Sequence, residues 1–177
     1  FLKLMACLPI TSCSKWDEND IDENDVVLNR TYRPAFILPS VNGRIPLFCD
    51  FHTHTIFSDS YYSPEYRVDE AINDGLDVLA ITDHLDPGYH LFPPIEYNMG
   101  YSRALKHSKN KNILIVHGGE ITRDMPPGHF NALFIKDESK LATGKIFNVF
   151  KEAISQGAFI QWNHPGWKEQ IPDGIAK

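Results

Sequence analysis

From residue 46 the chain consists of short apolar runs separated by helix-compatible stretches, and this alternation limits its fold more than any other feature. PLFCDFHTH (46–54), LDVLAITDH (76–84), NILIVHGGE (112–120), HFNALFI (129–135) and AFIQWNHP (158–165) each have the length and apolar content of a strand. Between the first two, SPEYRVDEAINDG (63–75) predicts a helix with Ser63 as N-cap, Pro64 in the first turn and Gly75 as the stop. MGYSRALKHSKN (99–110) and ATGKIFNVFKEAISQG (142–157) predict two more, the second amphipathic and ending at Gly157. Strands apolar along their length need cover on both faces, which indicates a mainly parallel α/β sheet. In such sheets the functional groups collect at the C-terminal ends of the strands.

Four of the five runs end in side chains able to bind a metal. They are His52 and His54, with Asp59 just beyond; Asp83 and His84 in ITDH; Glu120 in HGGE; and His164 in WNHP. His129 in PPGHFNALFI is a further candidate, but it precedes its run, so the strand-end rule does not account for it. Residues i and i+2 of a strand point to one face, so His52 and His54 can reach one ion together. Imidazoles and carboxylates suit Zn, Mn or Fe, and a carboxylate such as Glu120 can bridge two ions. Mixed nitrogen and oxygen ligation without thiolate argues for a catalytic site over a structural one. A lone His-x-His is equally well explained as a capped or surface pair; the conjunction over five segments is not.

DFHTHTIFSD, ITDH, GGEIT, GHFNAL and NHPG, in that order, resemble the PHP family, named for polymerase and histidinol phosphatase. The resemblance covers residues 47 to about 167. It implies a distorted TIM-like barrel of (βα)7 type carrying two or three divalent metal ions. It further implies that His52, His54 and Glu120 hold one ion, that Glu120 bridges to a second completed by His129 and His164, and that Asp59 and His84 belong to a third. His129, His164 and Asp83 are the candidate catalytic groups. The two histidines would place a phosphoryl group or protonate a leaving alkoxide, and Asp83 would orient a ligand or a strand end.

The family pattern includes a further Asp-x-His near the end of the barrel, which this chain lacks. With about five strands of seven, the sequence is expected to be an incomplete barrel, a fragment of a longer protein; the alternative is a domain completed by another chain. The implied reaction is hydrolysis of phosphate esters by a di- or trinuclear site, in which a pair of ions about 3.5–4 Å apart brings the pKa of a bound water near 7 and supplies hydroxide. The alternatives are a histidinol-phosphatase-like monoesterase and a non-catalytic binding module of the same fold.

Charge distribution narrows the partners. Net charge is −6, yet DENDIDEND (17–25) alone holds six of the 23 acidic residues, leaving 17 acids against 17 Lys and Arg elsewhere. No basic block of the kind that binds a phosphate backbone is visible, so no nucleic-acid partner is expected. A small phosphorylated or organophosphate substrate fits a cationic cluster in an otherwise neutral domain.

The three cysteines, Cys7, Cys13 and Cys49, offer neither a disulfide framework nor a Cys-x-x-Cys zinc site, and Cys49 is expected to be a buried core thiol. FLKLMACLPITSC resembles the end of a secretory signal, with Ile10 to Cys13 similar to a bacterial lipobox. Residues 1–13 are therefore expected to be a signal remnant, 14–45 an acidic tether and linker, and 46–177 the hydrolase domain, C-terminally truncated. On that reading a lipid on Cys13 anchors an exported protein to the cell envelope, at its periplasmic face or the cell surface.

Other polar and aromatic residues receive plainer readings. His90 and His107 are expected to be solvated, His117 to pack out of phase with Glu120, and Trp162 and Trp167 to pack as well. Tyr61, Tyr62, Tyr89 and Arg123 flank the proposed site and could contact a substrate.

Overall fold

The computed structural model describes residues 39–92, 95–124 and 126–165. Its elements follow the order β1 (Cys49–Asp50), α1 (Pro64–Asn73), β2 (Val78–Ile81), α2 (Met99–His107), β3 (Leu114–Ile121), β4 (Phe130–Leu133), α3 (Ile146–Ser155) and β5 (Phe159–Trp162). The five strands form one sheet in sequence order. This is an α/β half-barrel, the incomplete TIM-like architecture expected. Cys13, the acidic run and Trp167 lie outside the described residues.

The sheet is mixed, where a mainly parallel one was expected. β1, β2 and β3 run parallel, but β4 is antiparallel to both β3 and β5. The cause is loop length. A parallel return needs a crossover of roughly a dozen residues or more, usually helical, and residues 122–129 between β3 and β4 allow only a reversal. β5 then runs in the same direction as β1 to β3, leaving β4 as the single reversed strand. The start of β4 therefore lies at the edge where its neighbours end: Ile121 pairs with Phe130, and Phe130 with Trp162. His129 reaches the common edge because of this reversal.

β1 is much shorter than its apolar run. The Asp50 carboxylate accepts the His52 N–H at 2.9 Å, which removes that donor from the ladder. Beyond it, one side chain joins the pairing: Thr53 N donates to Thr82 Oγ1, while Thr82 N donates back to the Thr53 carbonyl, both at 2.9 Å. His52 and His54 thus sit on a stapled segment just past the strand.

Helix ends follow local chemistry. Ser63 caps α1 by accepting from Tyr66 N at 3.2 Å, with Pro64 at the first position. α3 begins at Ile146, later than its apolar pattern, because Gly144 at φ +117° and the extended Lys145 cannot continue a helix upstream. Gly157, at φ +94°, ends it as expected.

Two apolar clusters carry the packing. Val68, Ala71, Leu79, Ile81, Ala104 and Ile113 join α1 and α2 to the parallel strands. Leu85, Ile121, Ala132, Leu141, Val149 and Ala153 seat α3 near the antiparallel half. Each fully buried Leu or Ile contributes about 1.5–3 kcal/mol relative to exposure. Close contact between β2 and β3 depends on Gly118, where a Cβ would lie 2.8 Å from Thr82 Cγ2 and 3.1 Å from the Ile81 carbonyl oxygen. That approach lets the chain pair His84 with Glu120 just beyond β2.

Candidate metal centre

The seven ligand candidates converge in three overlapping groups: His52, His54 and Glu120; Glu120, His129 and His164; and His54, Asp59 and His84. Glu120 is fully buried at the middle. Its Oε1 lies 3.3 Å from His129 Nδ1, 3.4 Å from His164 Nε2 and 3.8 Å from His52 Nε2. Its Oε2 lies 3.6 Å from His54 Nε2 and 2.8 Å from His84 Nδ1. One carboxylate therefore faces five imidazoles, three on Oε1 and two on Oε2.

Divalent ions fit this arrangement. His52 and His54 bring their Nε2 atoms to 3.0 Å. Two nitrogens each about 2.0–2.1 Å from one ion, at an angle between a right angle and tetrahedral, lie roughly 2.9–3.4 Å apart. Glu120 Oε2 and His54 Nδ1 are buried without a hydrogen-bond partner, an arrangement that is costly unless a cation or donor meets them. The short approach of His84 Nδ1 to Oε2 lacks hydrogen-bond direction; Nδ1 is directed to Thr122 Oγ1, 2.6 Å away. With Nδ1 so engaged, His84 presents Nε2 to Asp59 Oδ2 at 3.4 Å. His54 belongs to two of the groups, its Nε2 towards His52 and its Nδ1 towards Asp59 Oδ1 at 3.8 Å.

The electrostatics suit cation binding. Burial pushes His54 down to about 4, helped by the His84 ring beside it, and lowers His52 and His129 as well. These imidazoles are therefore neutral near pH 7, with lone pairs available. Burial would raise the Glu120 carboxyl, but contact with His84, the nearby His52 and the Asn163 amide together hold it well below the usual carboxylate range. His84 moves the other way: burial lowers it, and Glu120 and Asp59 outweigh that.

Asp83 positions neighbouring groups. Its buried carboxylate accepts from Thr55 N at 2.6 Å, Thr55 Oγ1 at 2.7 Å and Ser58 Oγ at 2.7 Å, so it shapes the turn between His54 and Asp59. Burial nevertheless pushes it up to about 6. Its backbone carbonyl takes the Glu120 N–H at 2.9 Å, which fixes the bridging residue in the chain.

Several supporting residues escaped the sequence reading: Thr55, Ser58, Thr122, Asn131 and Asn163. The local signal available was a small polar side chain within two residues of a ligand candidate. Among the flanking residues, Tyr89 stacks on His84 with centroids 4.5 Å apart and meets His129 edge-on at 6.1 Å. Tyr61 leans on Phe92, Tyr62 stacks on Tyr66, and Arg123 faces Asp86 at 3.6 Å. His117 packs as expected, stacked on Tyr101 and bonded to Glu138 at 3.1 Å. Three plain readings need correction. His90 is half-buried against Tyr97, because its loop folds inward, and His107 pairs with Asp69 at 2.9 Å. Cys49 is only half-buried, because β1 lies at the edge of the sheet. Trp162 stacks on Phe130 yet stays 49% exposed on β5, so its packing is partial.

No curated protein matches the chain at a significant level. A two-domain protein from Bacteroides vulgatus containing a predicted PHP-like metal-dependent phosphoesterase is 41% identical, with a TM-score of 0.71. The match covers 80% of this chain and 41% of that protein, so the chain spans well under half of its relative. A candidate metal-dependent phosphoesterase from Bifidobacterium adolescentis is 28% identical over 48% of this chain and 26% of its own, with a TM-score of 0.36. The family model described as the PHP domain matches residues 50–164, from Asp50 before the histidine pair to His164, and the chain belongs to that family.

Proposed function

We propose that the chain is the metal-binding portion of a hydrolase that cleaves phosphate esters, and that it holds two or three divalent ions of Zn, Mn or Fe type. The observation that carries this reading is Glu120, a buried carboxylate whose Oε1 faces His52, His129 and His164 while its Oε2 faces His54. Ions held there would acidify a bound water and neutralise charge on a phosphoryl group.

The chain's own residues do the rest. His52, His54 and Glu120 offer three donors to one position, a set that leaves room for water or substrate. His129 and His164 face Oε1 of Glu120, and a phosphoryl oxygen could lie between them. His129, lowered by burial, offers a lone pair near pH 7 and holds a proton poorly. His84 keeps Nδ1 on Thr122 and turns Nε2 towards Asp59, completing a separate group. Tyr89 walls that group by stacking on His84.

The lipobox-like Ile10 to Cys13 supports an exported, lipid-anchored enzyme, and with it a preference for diesters or small organophosphates over a biosynthetic monoester. The test is hydrolysis of a phosphomonoester and a phosphodiester by the metal-reconstituted protein, with and without chelator. Turnover of either ester that is lost on chelation supports the reading; a protein that binds metal and cleaves neither ester contradicts it, and leaves a binding module.

A further inference from the structure

Beneath the ligand cluster, two buried carboxamides form a directional chain. Asn163 Nδ2 donates to Glu120 Oε1 at 2.8 Å and to Asn131 Oδ1 at 2.7 Å, and Asn131 Nδ2 donates to the Phe51 carbonyl at 2.7 Å. Asn131 and Asn163 are 0% and 1% exposed. Both ends of this chain, a carboxylate and a backbone carbonyl, can only accept, so both amides must turn Nδ2 along it, which leaves Asn163 Oδ1 buried without a hydrogen-bond partner. Asn163 also gives its backbone N–H to the His129 carbonyl at 2.9 Å. The relay therefore touches the residue before His52, the residue before His164, His129 itself and Glu120.

Resting on the metal-centre reading above, we propose that Asn131 and Asn163 form a positioning relay that sets the rotation of the Glu120 carboxylate and so couples the two imidazole pairs. The relay fixes Oε1 towards His129, His164 and His52, which leaves Oε2 for His54. An amide suits this place better than any alternative. It donates without adding charge, whereas an aspartate would place a second acceptor against Glu120 and a leucine would leave Oε1 without its donor. Asn131 contacts no ligand candidate in these bonds, yet it holds the amide that does.

The test is a Zn2+ titration of the full chain, stripped by chelator, for wild type, Asn163→Ala, Asn131→Ala and the double variant, with thermal unfolding of each metal-free protein. Supporting side chains of metal ligands typically matter by about 10–100-fold in affinity. Asn163→Ala is expected to weaken the Zn2+ shared through Glu120 by that factor. Asn131→Ala should weaken it in the same direction, and the double variant should bind no worse than Asn163→Ala, since both act through one contact. Leu141→Ala, a core truncation away from the cluster, should lower the unfolding temperature and leave Zn2+ affinity unchanged. Wild-type affinity in folded Asn163→Ala overturns the relay. If that variant does not fold, wild-type affinity in Asn131→Ala overturns it equally. Wild-type protein that binds no Zn2+, Mn2+ or Fe2+ would overturn the metal-centre reading itself.

Discussion

His52 and His54 point their Nε2 atoms at one another across 3.0 Å. Two neutral imidazoles so placed either share a proton or face a common cation. Replacing either by Ala removes one of three donors at that position, and loss of the corresponding ion is expected. Elemental analysis after dialysis should show fewer tightly bound ions per chain in His52→Ala than in wild type, with the fold retained by circular dichroism. An unchanged count would mean that the pair is held by a shared proton.

Acidity should act on the metal-free protein with a definite sign. His54 is lowered to about 4, so between about pH 4 and 6.5 the unfolded chain binds more protons there, and His52 and His129, lowered too, act in the same direction. Stability then falls as pH drops through that window, by up to roughly 1.4 kcal/mol per unit for each fully coupled group. Asp83 opposes this: raised to about 6, it binds its proton in the folded state first, so stability falls as pH rises from about 3.8 to 6. Asp83→Asn should therefore steepen the acid loss measured by urea unfolding across pH 4 to 6.5. A profile as shallow as wild type would show that Asp83 does not oppose the histidines.

Thr122 sets the His84 ring through Nδ1 at 2.6 Å. Thr122→Val keeps the shape and removes the acceptor, leaving Nδ1 without its hydrogen bond. Affinity at the group formed by His54, Asp59 and His84 should drop about 10–100-fold, with ions shared through Glu120 less affected. Competition titration with a chromophoric chelator resolves the separate steps, and an equal loss at all of them would point to general loosening.

Strand ends made most of this site legible in the sequence. His52, His84, Glu120 and His164 lie at the edge where β1, β2, β3 and β5 end, because helical crossovers or their equivalents bring each strand back in the same direction. His129 escaped that rule through a short loop: residues 122–129 cannot carry a helical crossover, so β4 reverses and its start joins the others' ends. The loop length was itself readable and forbade a fully parallel sheet. The amide relay was not, since Asn163 meets Asn131 and Glu120 across separations of 32 and 43 residues, and Asn131 meets Phe51 across 80. Closeness in sequence to His129 and His164 marks the two residues but not their partners, which meet only once β1, β3, β4 and β5 are side by side.

Glu120 is proposed to join two ion positions. Metal stoichiometry of Glu120→Gln, measured by elemental analysis after reconstitution, tests it most directly, because the amide keeps the volume and removes the charge shared by His52, His54, His129 and His164. Ions should be lost from both imidazole pairs together, with hydrolysis lost as well. Retention of the wild-type number of ions would contradict it.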